Sequence, residues 1–124
     1  MKIDLGKNEL IHFVGVGGIG MSGLALIMNG LGYKVQGSDI ANNRNIGRLK
    51  EKKIRIFLDH KKENIKKTTV LVISSAIKKN NPELVEAVKK NLPVYTRGDM
   101  LGHIVSFMRN VVITGSHGKT TTTS

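Results

Sequence analysis

The feature that most constrains this chain is the hexapeptide Gly15-Val16-Gly17-Gly18-Ile19-Gly20. It follows a short apolar run, Ile11-His12-Phe13-Val14. It precedes a segment with apolar residues at helical spacing, among them Met21, Leu24, Ala25 and Met28. A chain passes from a buried strand into a helix within so few residues only where side chains are missing. Gly15 is expected to make the tight turn and Gly17 to let backbone approach a pyrophosphate. Gly20 is expected to let the helix pack closely on the strand. The helix start, Gly18-Ile19-Gly20, would offer free N–H groups and partial positive charge to a phosphate. Asp39 ends the next strand, where an acid that binds ribose is expected. The hexapeptide implies a diphosphate ligand and leaves open whether it is NAD or another nucleotide.

The remaining pattern alternates strands with helices. Tyr33 to Ser38 reads as a second strand, residues 45–52 as a short polar helix and Ile54 to Phe57 as a third strand. Thr69 to Ser74 is rich in β-branched residues and unbroken, which suits a strand covered on both faces of a parallel sheet. Asn81 caps a helix that begins at Pro82 and runs to about Lys90. Leu92 to Tyr95 is a fifth strand, 98–108 a helix and Val111 to Thr114 a sixth strand. This order predicts an α/β fold, a Rossmann-like parallel sheet flanked by helices, with right-handed crossovers.

A second phosphate loop follows at once: Thr114-Gly115-Ser116-His117-Gly118-Lys119-Thr120-Thr121. It is a short form of the P-loop. Gly115 and Gly118 let backbone amides wrap a phosphate, Lys119 can reach the β and γ phosphates, and the Thr120 hydroxyl can serve magnesium. Such a loop normally opens a helix. The expectation is therefore of one unit over 1–108 and the start of an ATP-binding unit over 109–124, the front part of a longer protein and inactive alone.

Composition narrows the function classes. The 124 residues carry 20 basic and 9 acidic side chains, a net charge of +11. The lysines come as scattered pairs, such as Lys52-Lys53, Lys66-Lys67 and Lys89-Lys90, and read as solvated faces. With 4% aromatic residues and no Trp there is no stacking platform, so no nucleic-acid partner is expected. The absence of Cys excludes disulfides, thiolate metal sites and cysteine nucleophiles. No apolar run reaches the roughly 20 residues of a membrane span and no signal-peptide core precedes the first strand, so a soluble, cytoplasmic protein with no membrane partner is expected. His12 and His103 read as packed or surface histidines. Asp59 to Ile65 reads as a polar loop or helix start.

Two phosphate loops about a hundred residues apart, the first Rossmann-like and the second of G-x-x-G-K-T type, resemble the Mur ligases. The resemblance rests on His12 to Gly23, Gly37-Ser38-Asp39, His60 to Ile65, Val72 to Ile77, Asn81-Pro82-Glu83, Arg97 to Leu101 and Gly115 to Ser124. Two departures stand out: Ser116 where the family has Thr, and Gly98-Asp99 where it has Ala-Glu. The resemblance implies an ATP-dependent ligase of peptidoglycan synthesis, with UDP-N-acetylmuramate and L-alanine as substrates. ATP would convert the lactyl carboxylate to an acyl phosphate, and the amine of L-alanine would attack it. The first domain would hold UDP, not NAD. Gly15, Gly17, Gly18, Ile19 and Gly20 would face the diphosphate, with Ser38 and Asp39 near the nucleoside. His60, Asn64, Ser74, Ser75 and Ala76 would lie at the strand ends. Gly115, Ser116, His117, Gly118, Lys119, Thr120 and Thr121 would bind ATP. Lys119 and Thr120 would be catalytic, and Thr120 would hold Mg2+ through the nucleotide.

Two rival readings come from other classes. In an NAD(P)-dependent oxidoreductase Asp39 would take the adenosine ribose, but the Gly-Lys-Thr loop would have no purpose. A non-enzymatic nucleotide- or nucleic-acid-binding module would use the positive charge, but the lysines are dispersed and aromatics are scarce.

Overall fold

The computed structural model describes residue 3 and residues 5–115. Five parallel strands form one sheet: β1 (Leu10–Val14), β2 (Lys34–Ser38), β3 (Arg55–Phe57), β4 (Val70–Ile73) and β5 (Val94–Thr96), in the order β3-β2-β1-β4-β5. Helices α1 (Ile19–Gly30), α2 (Arg44–Glu51), α3 (Pro82–Lys89) and α4 (Arg97–Gly115) supply connections and cover. A 3-10 turn, Lys62–Ile65, lies between β3 and β4. β1 is central, pairing Val14 with Ser38 of β2 and with Ile73 of β4.

Local chemistry sets the element ends. Gly32, at φ +98°, takes the left-handed conformation that ends the run after α1. Asn43 caps α2 by accepting the Ile46 N–H, and Asn81 caps α3 by accepting the Glu83 N–H with Pro82 in the first turn.

Both faces of the sheet are covered. Ile11 and Phe13 of β1, Val35 of β2 and Val70 and Val72 of β4 pack with Met21, Leu24 and Met28 of α1, Ile46 and Leu49 of α2, and Met100 and Ile104 of α4. Val14 and Leu71 enter a smaller cluster on the opposite face, with Ile65 of the 3-10 turn and Ala87 of α3. The alternation along β4 places neighbouring aliphatics in different clusters, which is why its sequence is apolar throughout.

One expected element is corrected. Segment 111–114, read as a sixth strand, is the continuation of α4, which runs from Arg97 to Gly115. A strand completes its backbone hydrogen bonds only beside another strand, and among the described residues none pairs with this segment. A helix completes them within itself.

Candidate functional site

The strand order reverses between β1 and β4. The chain leaves β1 toward β2 and β3 on one side, then returns to β4 and β5 on the other. At such a switch point the loops diverge and leave a crevice outside the carboxyl ends of the strands. Here that crevice is a cleft of about 570 Å³. Gly15 and Gly18 after β1, Asp39 and Ile40 after β2, and His60 after β3 line it. Ser74, Ala76, Ile77 and Lys78 after β4 and Asn80, Asn81 and Pro82 at the start of α3 complete the wall.

The glycine loop is held by β2. The Ser38 carbonyl accepts both the Gly15 and the Val16 N–H, at 2.9 and 3.0 Å. Gly15 sits at φ +84°, and a Cβ there would come within 2.9 Å of Ser74 Oγ. Asp39 Oδ2 accepts the Gly17 N–H at 2.8 Å, and its Oδ1 accepts the Ala41 N–H at 3.0 Å. Asn43 and Asn45 both donate to the Gly17 carbonyl. Gly17 is thus buried by its own neighbours, and a Cβ would stand 2.8 Å from Asp39 Oδ2 and 3.2 Å from Ile46. Gly20 is crossed by the Arg97 side chain, 2.9 Å from an added Cβ, rather than by a strand. Helix α1 starts from Gly18 with no side-chain cap and no acidic residue in its first turn. Its first N–H groups therefore remain available to an anion.

Below His60 lies a buried polar cluster centred on Glu83, which is fully buried. Its Oε1 accepts from His12 Nε2 at 2.8 Å and from Ser38 Oγ at 2.5 Å. Its Oε2 accepts from the Lys61 N–H at 3.2 Å and from Asn64 Nδ2 at 2.7 Å. The Gln36 side-chain amide donates to His12 Nδ1 at 2.9 Å and to the Asn64 carbonyl at 2.9 Å. Accepting at Nδ1, His12 carries its proton on Nε2 and donates to the carboxylate. Burial alone would raise the Glu83 pKa. The hydrogen bonds from His12, Ser38 and Asn64 outweigh it and hold the carboxyl below its ordinary 4.5. Asn64 also donates to Asp59 Oδ1 at 3.0 Å, which lowers that carboxyl too.

Several residues singled out from the sequence meet in the cleft: Gly15, Gly18, Asp39, His60, Ser74 and Ala76. Ser38 and Asn64 lie beneath it as partners of Glu83. Ile19 is 87% exposed at the start of α1, and Ser75 is an exposed turn residue. Gly115 ends α4, while Ser116, His117, Gly118, Lys119, Thr120 and Thr121 lie outside the described residues. Among the described residues no group of three or more His, Asp or Glu could hold a metal ion, and no helix is long and apolar enough to cross a membrane.

Sequence reasoning missed Glu83, Gln36 and Lys78. Glu83 at the start of a helix reads as an exposed first-turn acid. Its signal lay in the strands opposite, where His12, Gln36 and Ser38 interrupt otherwise apolar runs.

Comparison with known proteins places the sequence in a family. Residues 10–109 match the model of the Mur ligase family, catalytic domain. The whole chain is 66% identical to a UDP-N-acetylmuramate–L-alanine ligase of Pelagibacter ubique, covering 27% of that protein. It is 55% identical to the corresponding ligase of Brucella ovis, covering 26% of it. The chain thus spans about a quarter of the length of the curated relatives it matches. Among solved structures, the UDP-N-acetylmuramate–alanine ligase MurC of Thermotoga maritima superposes with a TM-score of 0.71 at 33% identity, over 81% of this chain and 23% of the other. A family match over most of its length, on a sheet whose glycine loop opens into the switch-point cleft, shows that the chain belongs to the Mur ligase family.

Proposed function

We infer that this chain is the UDP-substrate-binding part of an ATP-dependent ligase that joins L-alanine to the lactyl carboxylate of UDP-N-acetylmuramate in peptidoglycan synthesis. The observation that carries this reading is the 66% identity, over all 124 residues, to a ligase of that name. The cleft supports it. The uncapped start of α1 supplies N–H donors for a diphosphate, and Lys78 adds a cation to the lining. The nucleoside is assigned to the side of the cleft formed by Asp39, Ile40 and His60.

Activation of the carboxylate is assigned to ATP and Mg2+ at Gly115 to Thr121, with Lys119 and Thr120 as the catalytic pair; the family resemblance supports this. We assign the chain to the cytoplasm, where UDP-linked precursors and ATP are available.

Calorimetric titration of this chain with UDP and with NADH tests the reading. UDP is expected to bind and NADH is not. A preference for NADH would refute the ligase assignment.

A further inference from the structure

The geometry points to a positioning role for Glu83. Through Ser38 it holds His60 in the tautomer protonated on Nδ1, so that Nε2 faces the ligand as a hydrogen-bond acceptor. The ligand group it meets is a donor on the nucleoside, either the imide N–H of uracil or a ribose hydroxyl. This last step rests on the UDP reading above; the tautomer does not.

The direction of the chain follows from its end. All four partners of Glu83 are donors, and a carboxylate held ionised has no proton to return. Ser38 has one hydroxyl proton, and at 2.5 Å from Oε1 that proton points to Glu83. Its oxygen is then left to accept, and the group 3.0 Å away is His60 Nδ1. His60 must therefore carry its proton on Nδ1. An unconstrained neutral histidine carries it mostly on Nε2, so the arrangement reverses the intrinsic preference. Nε2 has no hydrogen-bond partner among the described residues, and the ring lines the cleft. Ser38 and Glu83 are fully buried, so water does not compete for the chain.

Glu83→Gln gives a specific expectation. The carboxamide must direct its NH2 toward one pair of donors. The Lys61 N–H and Asn64 Nδ2 cannot turn round; on the other side the Ser38 hydroxyl can, while the His12 Nε2–H is left opposed, at a cost in stability. The amide would donate to Ser38, the Ser38 proton would swing to His60 Nδ1, and the imidazole proton would move to Nε2.

The test is nitrogen NMR of the imidazoles in the 124-residue chain at pH 8.5, above the ordinary histidine range of about 6.5. The wild type is expected to show His60 protonated on Nδ1. Glu83→Gln is expected to move the proton to Nε2, and so is the double variant Ser38→Ala/Glu83→Gln; in Ser38→Ala alone the carboxylate, 3.6 Å from Nδ1, is expected to keep the proton on Nδ1. Nε2 protonation in the wild type, or no change in Glu83→Gln, would overturn the proposal. Should Glu83→Gln fail to fold, the wild-type spectrum decides.

In titrations with UDP, Ser38→Ala and His60→Ala are each expected to weaken binding about tenfold. The double variant should lose about the same, because both act through one atom. Losses that multiply would overturn the proposed route. CDP, which lacks the imide N–H, and 2′-deoxy-UDP identify the donor: the analogue that His60 discriminates should lose its disadvantage in His60→Ala. If neither is discriminated, the assigned contact is wrong. If wild type binds no UDP but shows the Nδ1 tautomer, the functional reading fails while the role of Glu83 stands.

Discussion

On one face of the sheet, β1 sends Ile11 and Phe13 into an aliphatic layer under α1, α2 and α4. On the other it sends His12 beside Gln36 and Ser38 of β2, under a carboxylate from α3. The first face is held by contacts that have no direction, so substitutions there are felt as lost volume. The second has a smaller aliphatic cluster around Val14 and Leu71 and, beside it, hydrogen bonds that each have a donor and an acceptor. One wrong proton there leaves a buried group unpaired. The polar face reaches the cleft through Ser38 and His60. The apolar face reaches it only through backbone.

The largest expected effect is at the centre of the polar face. Glu83→Ala leaves four donors without their acceptor and should cost about 3–5 kcal/mol in urea unfolding. It should also weaken UDP binding. Phe13→Ala, on the opposite face of the sheet, should cost about 3–4 kcal/mol, yet leave UDP affinity within about twofold. If the two variants lose binding alike, the separation of the faces is wrong.

Acid separates them further. The folded pKa of Glu83 lies below its ordinary 4.5. Its contribution is complete above that value and is lost as pH falls through the folded one. Wild type and Phe13→Ala should both show this loss in denaturation midpoints measured from pH 6 down to pH 3, and Glu83→Ala should lack that part. A smaller effect is expected at Gly17, where a Cβ would press on Asp39 and Ile46. Gly17→Ala should cost about 1–3 kcal/mol and displace the loop. Gly23→Ala, with nothing within 4 Å of the added atom, should instead stabilise α1 by up to about 1 kcal/mol.

Much of the architecture was legible in the chain. β4 reads as a buried strand because both of its faces are covered by aliphatics, and Gly15 announces its turn because only glycine takes φ +84° without strain. The loop glycines were less transparent. Gly17 was expected to leave room for a pyrophosphate, but its near neighbour is Asp39, and Gly20 meets Arg97 instead of a strand. These contacts come from residues far along the chain, which periodicity does not encode. Glu83 was hidden for the same reason. Segment 111–114 carries β-branched residues, yet propensity alone cannot supply a neighbouring strand.

The strand order also has a kinetic side. His12 and Glu83 are 71 residues apart, and β1 lies beside β4, so the middle strand of the sheet waits for a neighbour made much later. Closing so long a loop must precede any reward from the contacts it brings. On a ribosome, β1, β2 and the glycine turn emerge well before α3. Until Glu83 leaves the exit tunnel, His12, Gln36 and Ser38 have water as their partner. The ligand cleft therefore acquires its floor only well after its glycine turn has been made.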